Sequence, residues 1–154
     1  MVDVNDPRRW VFPPGVYLAA VLVGVLLHRW LPVGLLPAPV GRWIGAALIA
    51  AWALLVVLAM REFRRAGTTP APTGEVTALV TRGPFRFSRN PMYLSWVLFQ
   101  TGVALWLSNA WILLLLPAAV ALIDRLVIAG EEAYLAQKYG AEYAGYAQRV
   151  RRWL

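Results

Sequence analysis

The 154-residue chain has no cysteine and a single histidine. Without thiols there is no disulfide framework, no thiolate metal site and no cysteine nucleophile, and His28 cannot form a metal cluster alone. Charge is scarce as well: 15% of residues are charged against 60% hydrophobic. A soluble domain this short buries too small a fraction of its chain to hide that much apolar surface, so the surplus must face lipid. No small-residue cleavage site closely follows the first apolar run, and Asp3 and Asp6 precede Arg8, so no cleavable signal peptide is expected.

What is present is apolar and basic. Eight Trp and six Tyr suit a membrane–water interface. The net charge of +7 could serve nucleic acid, anionic lipid or topology, but the cations flank apolar runs, which favours the last two and leaves no nucleic-acid partner. A spanning helix needs roughly 20 mostly apolar residues. The expected fold is all-α: a polytopic membrane protein with about four transmembrane helices and a C-terminal amphipathic interfacial helix, forming a single domain over 1–154. The spans are expected at about 16–31, 43–60, 91–107 and 110–129, with a loop at 61–90 and a tail at 130–154. Nothing between Asn90 and Ile123 is charged. As one helix that stretch would be roughly 50 Å long, so Ser108-Asn109, between Trp106 and Trp111, reads as the turn of a hairpin. Pro117 is a possible kink in the return helix.

With four spans, the N-terminus, the central loop and the tail share one side. That side carries Arg8, Arg9, Arg61, Arg64, Arg65, Arg82, Arg86, Arg89, Arg125, Lys138, Arg149, Arg151 and Arg152, which is 13 of the 15 cations. Arg29 and Arg42 fall on the other. The positive-inside rule places both termini in the cytoplasm, with a bacterial inner membrane as the expected location.

The loop is rich in Gly, Pro and Thr over Gly67–Gly74, then turns at Gly83-Pro84. Asn90-Pro91 should hold Asn90 out of helical geometry and open span three at Pro91. In the tail, Tyr139, Tyr143, Tyr146, Val150 and Trp153 form one stripe at helical spacing, which alone reads as a basic amphipathic helix on anionic lipid. Several features could carry chemistry or could be structural. Asp124-Arg125 could be an interfacial ion pair, Glu131-Glu132 solvated charge at a helix start, and Gln100 an interhelical hydrogen bond. Loop, span-four base and tail all face one side and could converge on one polar pocket.

The run Leu79-Val80-Thr81-Arg82-Gly83-Pro84-Phe85-Arg86-Phe87-Ser88-Arg89-Asn90-Pro91-Met92-Tyr93-Leu94 resembles the signature of the isoprenylcysteine carboxyl methyltransferases and their phospholipid methyltransferase relatives. Its pattern there is Gly-Pro-Tyr-Arg-x-x-Arg-His/Asn-Pro-x-Tyr. Glu131-Glu132, Lys138-Tyr139-Gly140, Glu142-Tyr143, Tyr146 and Arg152-Trp153-Leu154 are similar to the family's C-terminal half. The resemblance covers roughly 66–154.

The resemblance implies an integral membrane enzyme that uses S-adenosylmethionine and takes a lipophilic methyl acceptor from the bilayer. It implies that Val80, Gly83, Pro84, Arg89, Asn90, Pro91 and Tyr93 line the cofactor pocket from one side and Glu131 and Glu132 from the other. Arg89, Glu132 and Arg125 are the implied catalytic set, with Arg125 nearer the acceptor. The cofactor's amino group and sulfonium suit carboxylates, and its carboxylate suits Arg. The chain has no Gly-x-Gly-x-x-Gly, so any such site must be built from these segments. Position 90 is Asn where the eukaryotic enzymes carry His, and Asn cannot take up a proton at physiological pH. The acceptor could be an isoprenylcysteine-like carboxylate, a phospholipid amine or another apolar small molecule. Two other readings are a small four-helix transporter, which needs an acidic group inside a span, and a sterol-reductase-like enzyme using NADPH.

Overall fold

The computed structural model describes residues 11–70 and 76–154. Among them every regular element is helical: α1 Pro13–Trp30, α2 Ala38–Arg65, α3 Pro91–Trp106, α4 Ala110–Ile123 and α5 Ala129–Arg149. A 3-10 turn covers Gly83–Arg86, and a π-helical turn, Asp124–Ile128, carries α4 into α5. The basic pair Arg8-Arg9 and the loop residues 71–75 lie outside the described residues.

Three helical runs are long and apolar enough to cross a membrane: Pro13–Trp30, Ala38–Arg65 and the run Ala110–Arg149. Leu22, Leu54, Val57 and Leu114 are exposed along them. In water such a surface would aggregate; in a bilayer it is the lipid contact. By length and composition the chain is an integral membrane protein. α3 has 16 residues, fewer than the roughly 20 of an ideal span, and packs against α1, α2 and α4.

Several boundaries differ from the sequence expectation. α1 starts at Pro13 because proline suits the first helical turn. α2 exceeds 43–60 at both ends, so Arg42 and Arg61 lie within the helix. Arg64 and Arg65 in its last turn complement the negative end of the dipole, and Arg65 pairs with Glu62 one turn back at 2.9 Å. The return helix does not stop at 129: the run reaches Arg149 with a break only at Gly140, whose φ of 49° is left-handed. The tyrosine stripe is turned onto protein, with Tyr143 and Tyr146 buried. Val150, in extended geometry, and Trp153 lie beyond the helix.

Small residues let the helices meet. A Cβ on Gly45 would lie 2.6 Å from the Gly102 carbonyl oxygen, and one on Gly102 2.9 Å from that of Gly45, so α2 and α3 touch backbone to backbone. Gln100 is fully buried and donates through Nε2 to the Ile112 carbonyl at 2.8 Å, an interhelical hydrogen bond across the hairpin.

The hairpin turn forms one end of the bundle. Asn109 caps α4, accepting from the Trp111 and Ile112 amides at 3.0 and 3.3 Å, while its Nδ2 donates to the Gly24 carbonyl of α1. Ser108 accepts from the Leu35 amide and donates to the Leu36 carbonyl, both at 3.0 Å. Trp111 Nε1 donates to the Leu31 carbonyl. The α1–α2 connection and the α3–α4 turn are therefore tied together. The start of α1, the end of α2, the start of α3 and the run into α5 gather at the opposite end.

Candidate functional site

The site begins where the loop re-enters the bundle. Arg82 is extended and Gly83 follows at a φ of 58°, which glycine adopts freely. A Cβ there would also meet the Glu62 side chain at 2.8 Å. The turn buries Phe85, whose carbonyl accepts from the Tyr146 hydroxyl at 2.7 Å. Phe85 also meets Phe63 edge-on. Asn90 is non-helical, as expected before proline, and Pro91 opens α3. These constraints bring Arg89, Asn90 and Tyr93 to one cavity at the junction.

α5 supplies the opposing wall. Tyr93 donates its hydroxyl proton to Glu131 Oε1 at 2.8 Å. Arg89 Nη2 lies 3.3 Å from Glu132 Oε1, and Nη1 donates to the Tyr143 hydroxyl at 3.3 Å. The residues after α5 cross between the two walls. The Arg89 amide donates to the Arg151 carbonyl at 2.9 Å, and Ser88 Oγ and Asn90 Nδ2 both donate to the Arg152 carbonyl. The Arg152 side chain reaches Glu132 and Asp124, and Trp153 Nε1 donates to Asp124 at 3.2 Å. Asp124 is thus satisfied by Arg152 and Trp153 rather than by its neighbour Arg125.

Between these walls lies a cavity of about 420 Å³, within the range of small-molecule and cofactor sites. Its polar lining comes from Arg89, Asn90, Glu131, Glu132 and Tyr143, and its apolar lining includes Phe12 and Pro13 at the start of α1, Phe63, Leu79, Met92 and Trp96. Of the residues singled out in the sequence, Val80, Arg89, Asn90, Pro91, Tyr93, Glu131 and Glu132 line it. Gly83 and Pro84 do not; they line a separate depression with Leu55, Leu58 and Arg61. Arg125 is exposed on the π-helical turn and lies outside the lining.

The two carboxylates differ in their surroundings. Glu132 is flanked by Arg89 and Arg152. Glu131 has Tyr93 as hydrogen-bond partner and is in no ion pair among the described residues. It stands next to Glu132 in the first turn of α5. Two atoms in the polar lining are buried with no hydrogen-bond partner: Arg89 Nε, a donor, and Glu132 Oε1, an acceptor.

The wall contributed by Val11, Phe12, Pro13 and Pro14 was not legible in the motifs, because apolar residues before a span carry no chemical signal. Nor was the work of Arg152 and Trp153, which lie 20 or more residues from their partners. Their place at the end of the second motif was the signal available.

The family model for phospholipid methyltransferase matches residues 40–142, about two thirds of the chain and all of the junction and carboxylate segments. An uncharacterized protein of Haemophilus influenzae is 44% identical over 63 residues, which span all of that protein and 41% of this chain. No solved structure matches.

Proposed function

The chain belongs to the phospholipid methyltransferase family, a family of membrane methyltransferases, and on that premise we propose that it transfers the methyl group of S-adenosylmethionine to a lipophilic acceptor at the cytoplasmic face of the membrane. In this reading all four helical segments cross the bilayer, α3 within the shelter of the other three, and both termini face the cytoplasm. The location would be a bacterial inner membrane.

The observation that carries the reading is the set of charged groups on one wall of the cavity: the Arg89 guanidinium, paired with Glu132 at 3.3 Å, with Glu131, in no ion pair among the described residues, beside them. The amino-acid end of S-adenosylmethionine offers the complement: a carboxylate for the Arg89 guanidinium and an ammonium for Glu132. The residues present therefore fit the cofactor. The bound group supplies an electrophilic methyl on a sulfonium, which is transferred by in-line displacement.

The chain's own residues do the rest. Arg89 and Glu132 bind and orient the charged end. Glu131, in no ion pair among the described residues, contributes negative charge for a cationic partner, and the Tyr93 hydroxyl fixes its carboxylate. Phe12, Phe63, Leu79, Met92 and Trp96 give the cavity apolar walls suited to the tail of a hydrophobic acceptor. Alignment within one cavity supplies much of the acceleration, since displacement at a sulfonium needs proximity more than strong acid–base help. The acceptor class stays as the sequence left it, an isoprenylcysteine-like carboxylate, a phospholipid amine or another apolar molecule. A transporter is disfavoured because the acid buried in α2, Glu62, sits in its last turns and pairs with Arg65, and the partly exposed Asp124 pairs with Arg152.

Calorimetry with S-adenosylhomocysteine on the purified full chain tests the reading. Wild type should bind, and Glu132→Ala should lose measurable binding. Absence of binding by wild type would sink the proposal.

A further inference from the structure

The five residues after α5 are more than an end to the chain. Arg152 projects its guanidinium between two acidic groups, Asp124 at the start of the π-helical turn and Glu132 in the first turn of α5. Its Nε donates to Glu132 Oε2 at 3.1 Å, its Nη2 reaches the same oxygen, and its Nη1 lies 3.2 Å from Asp124 Oδ2. Asp124 is anchored a second time by Trp153 Nε1. The strap's backbone is stitched to the loop junction through the carbonyls of Arg151 and Arg152, which accept from Arg89, Ser88 and Asn90.

The consequence lies in which oxygen is used. Both bonds from Arg152 to Glu132 go to Oε2. Oε1 keeps no hydrogen bond, although Arg89 Nη2 is 3.3 Å away. An arginine is suited to this, because its planar fork can engage two carboxylates at fixed angles while a lysine offers a single point of charge. We propose that Arg152 is a positioning residue for the cofactor site: braced by Asp124, it commits Oε2 of Glu132 and so holds that carboxylate, with Oε1 against Arg89, in the cavity wall that would receive the ligand's amino-acid end. This rests on the reading of the cavity as an S-adenosylmethionine site and adds to it a residue that touches no ligand.

A pair of probes separates positioning from mere structural support. S-adenosylhomocysteine carries the amino-acid end; 5′-methylthioadenosine has the same nucleoside and lacks it. Calorimetry on the full chain in detergent would compare both ligands in wild type, Arg152→Gln, Arg152→Lys and Asp124→Asn. Losing one charge-assisted contact should weaken S-adenosylhomocysteine about tenfold or more in Arg152→Gln, with methylthioadenosine nearly unchanged. Arg152→Lys should recover part of the loss, and Asp124→Asn should show a smaller loss of the same selectivity. Wild-type affinity for S-adenosylhomocysteine in Arg152→Gln would overturn the proposal, and so would an equal loss of both ligands. If Arg152→Gln does not fold, the ratio of the two affinities in Arg152→Lys and Asp124→Asn decides, and an unchanged ratio overturns it. Failure of wild type to bind S-adenosylhomocysteine would instead bring down the underlying reading of the site.

Discussion

The hairpin turn at Ser108–Trp111 and the loop junction at Arg89–Tyr93 are both short, polar and placed against buried helix ends, yet they settle their polar groups in opposite ways. At the turn, Asn109 uses its oxygen on two amides and its nitrogen on Gly24, Ser108 both donates and accepts, and Trp111 reaches Leu31. Every bond closes on the protein. At the junction, Arg89 Nε and the facing Glu132 Oε1 are buried without a hydrogen bond, and Glu131 is in no ion pair among the described residues. A closed set of bonds holds helices together; an open set with charge beside a cavity is built to be completed by something else.

That contrast can be broken or sharpened by mutation. The largest effect belongs to the open end. Arg89→Ala should lower methyl transfer at least about 100-fold, because it removes the carboxylate's partner and leaves Glu132 half-paired in a buried site. Labelled-methyl assays would measure it, and activity within a few fold of wild type would erase the distinction between the two ends. Asn109→Ala should act on stability instead, costing about 1–3 kcal/mol through the lost cap and the lost bond to the Gly24 carbonyl of α1. Thermal unfolding in detergent should register it, with affinity for S-adenosylhomocysteine in the folded fraction unchanged.

The third effect belongs to Glu131→Gln, which removes one negative charge beside the cavity and should weaken S-adenosylhomocysteine by about tenfold in calorimetry. Unchanged affinity would remove Glu131 from cation binding. The smallest effect belongs to Tyr93→Phe, which keeps the ring and loses only the 2.8 Å bond to Glu131. A reduction of about threefold to tenfold in methyl transfer is expected.

Much of this was readable from the chain, for reasons that particular residues make plain. Asn90-Pro91 dictates a non-helical residue followed by a helix start, and the structure has it. Ser108-Asn109 between two Trp marked the hairpin, and Asn109 is its cap. Arg89, Asn90, Tyr93, Glu131 and Glu132 were singled out by motif and line one cavity. What escaped depends on tertiary distance. Gly83 and Pro84 belong to the motif, but their work is to turn the chain over Glu62, outside the cavity. Arg125 shares a sequence neighbourhood with Asp124 and Glu131, yet the π-helical turn leaves it exposed. The tyrosine stripe has the spacing of a lipid-facing helix, and only the folded loop reveals that Tyr139, Tyr143 and Tyr146 reach Val76, Arg89 and Phe85. Arg152 carried no local signal for its bridge to Asp124 across 28 residues.

The most direct measurement is transfer itself. Purified full-length protein in lipid bilayers, given methyl-labelled S-adenosylmethionine, should place label in an apolar, solvent-extractable product, and Glu132→Ala should not. Label confined to the aqueous phase for both proteins, with bilayer lipids and a prenylated thioether supplied as acceptors, would contradict the assignment of the cavity.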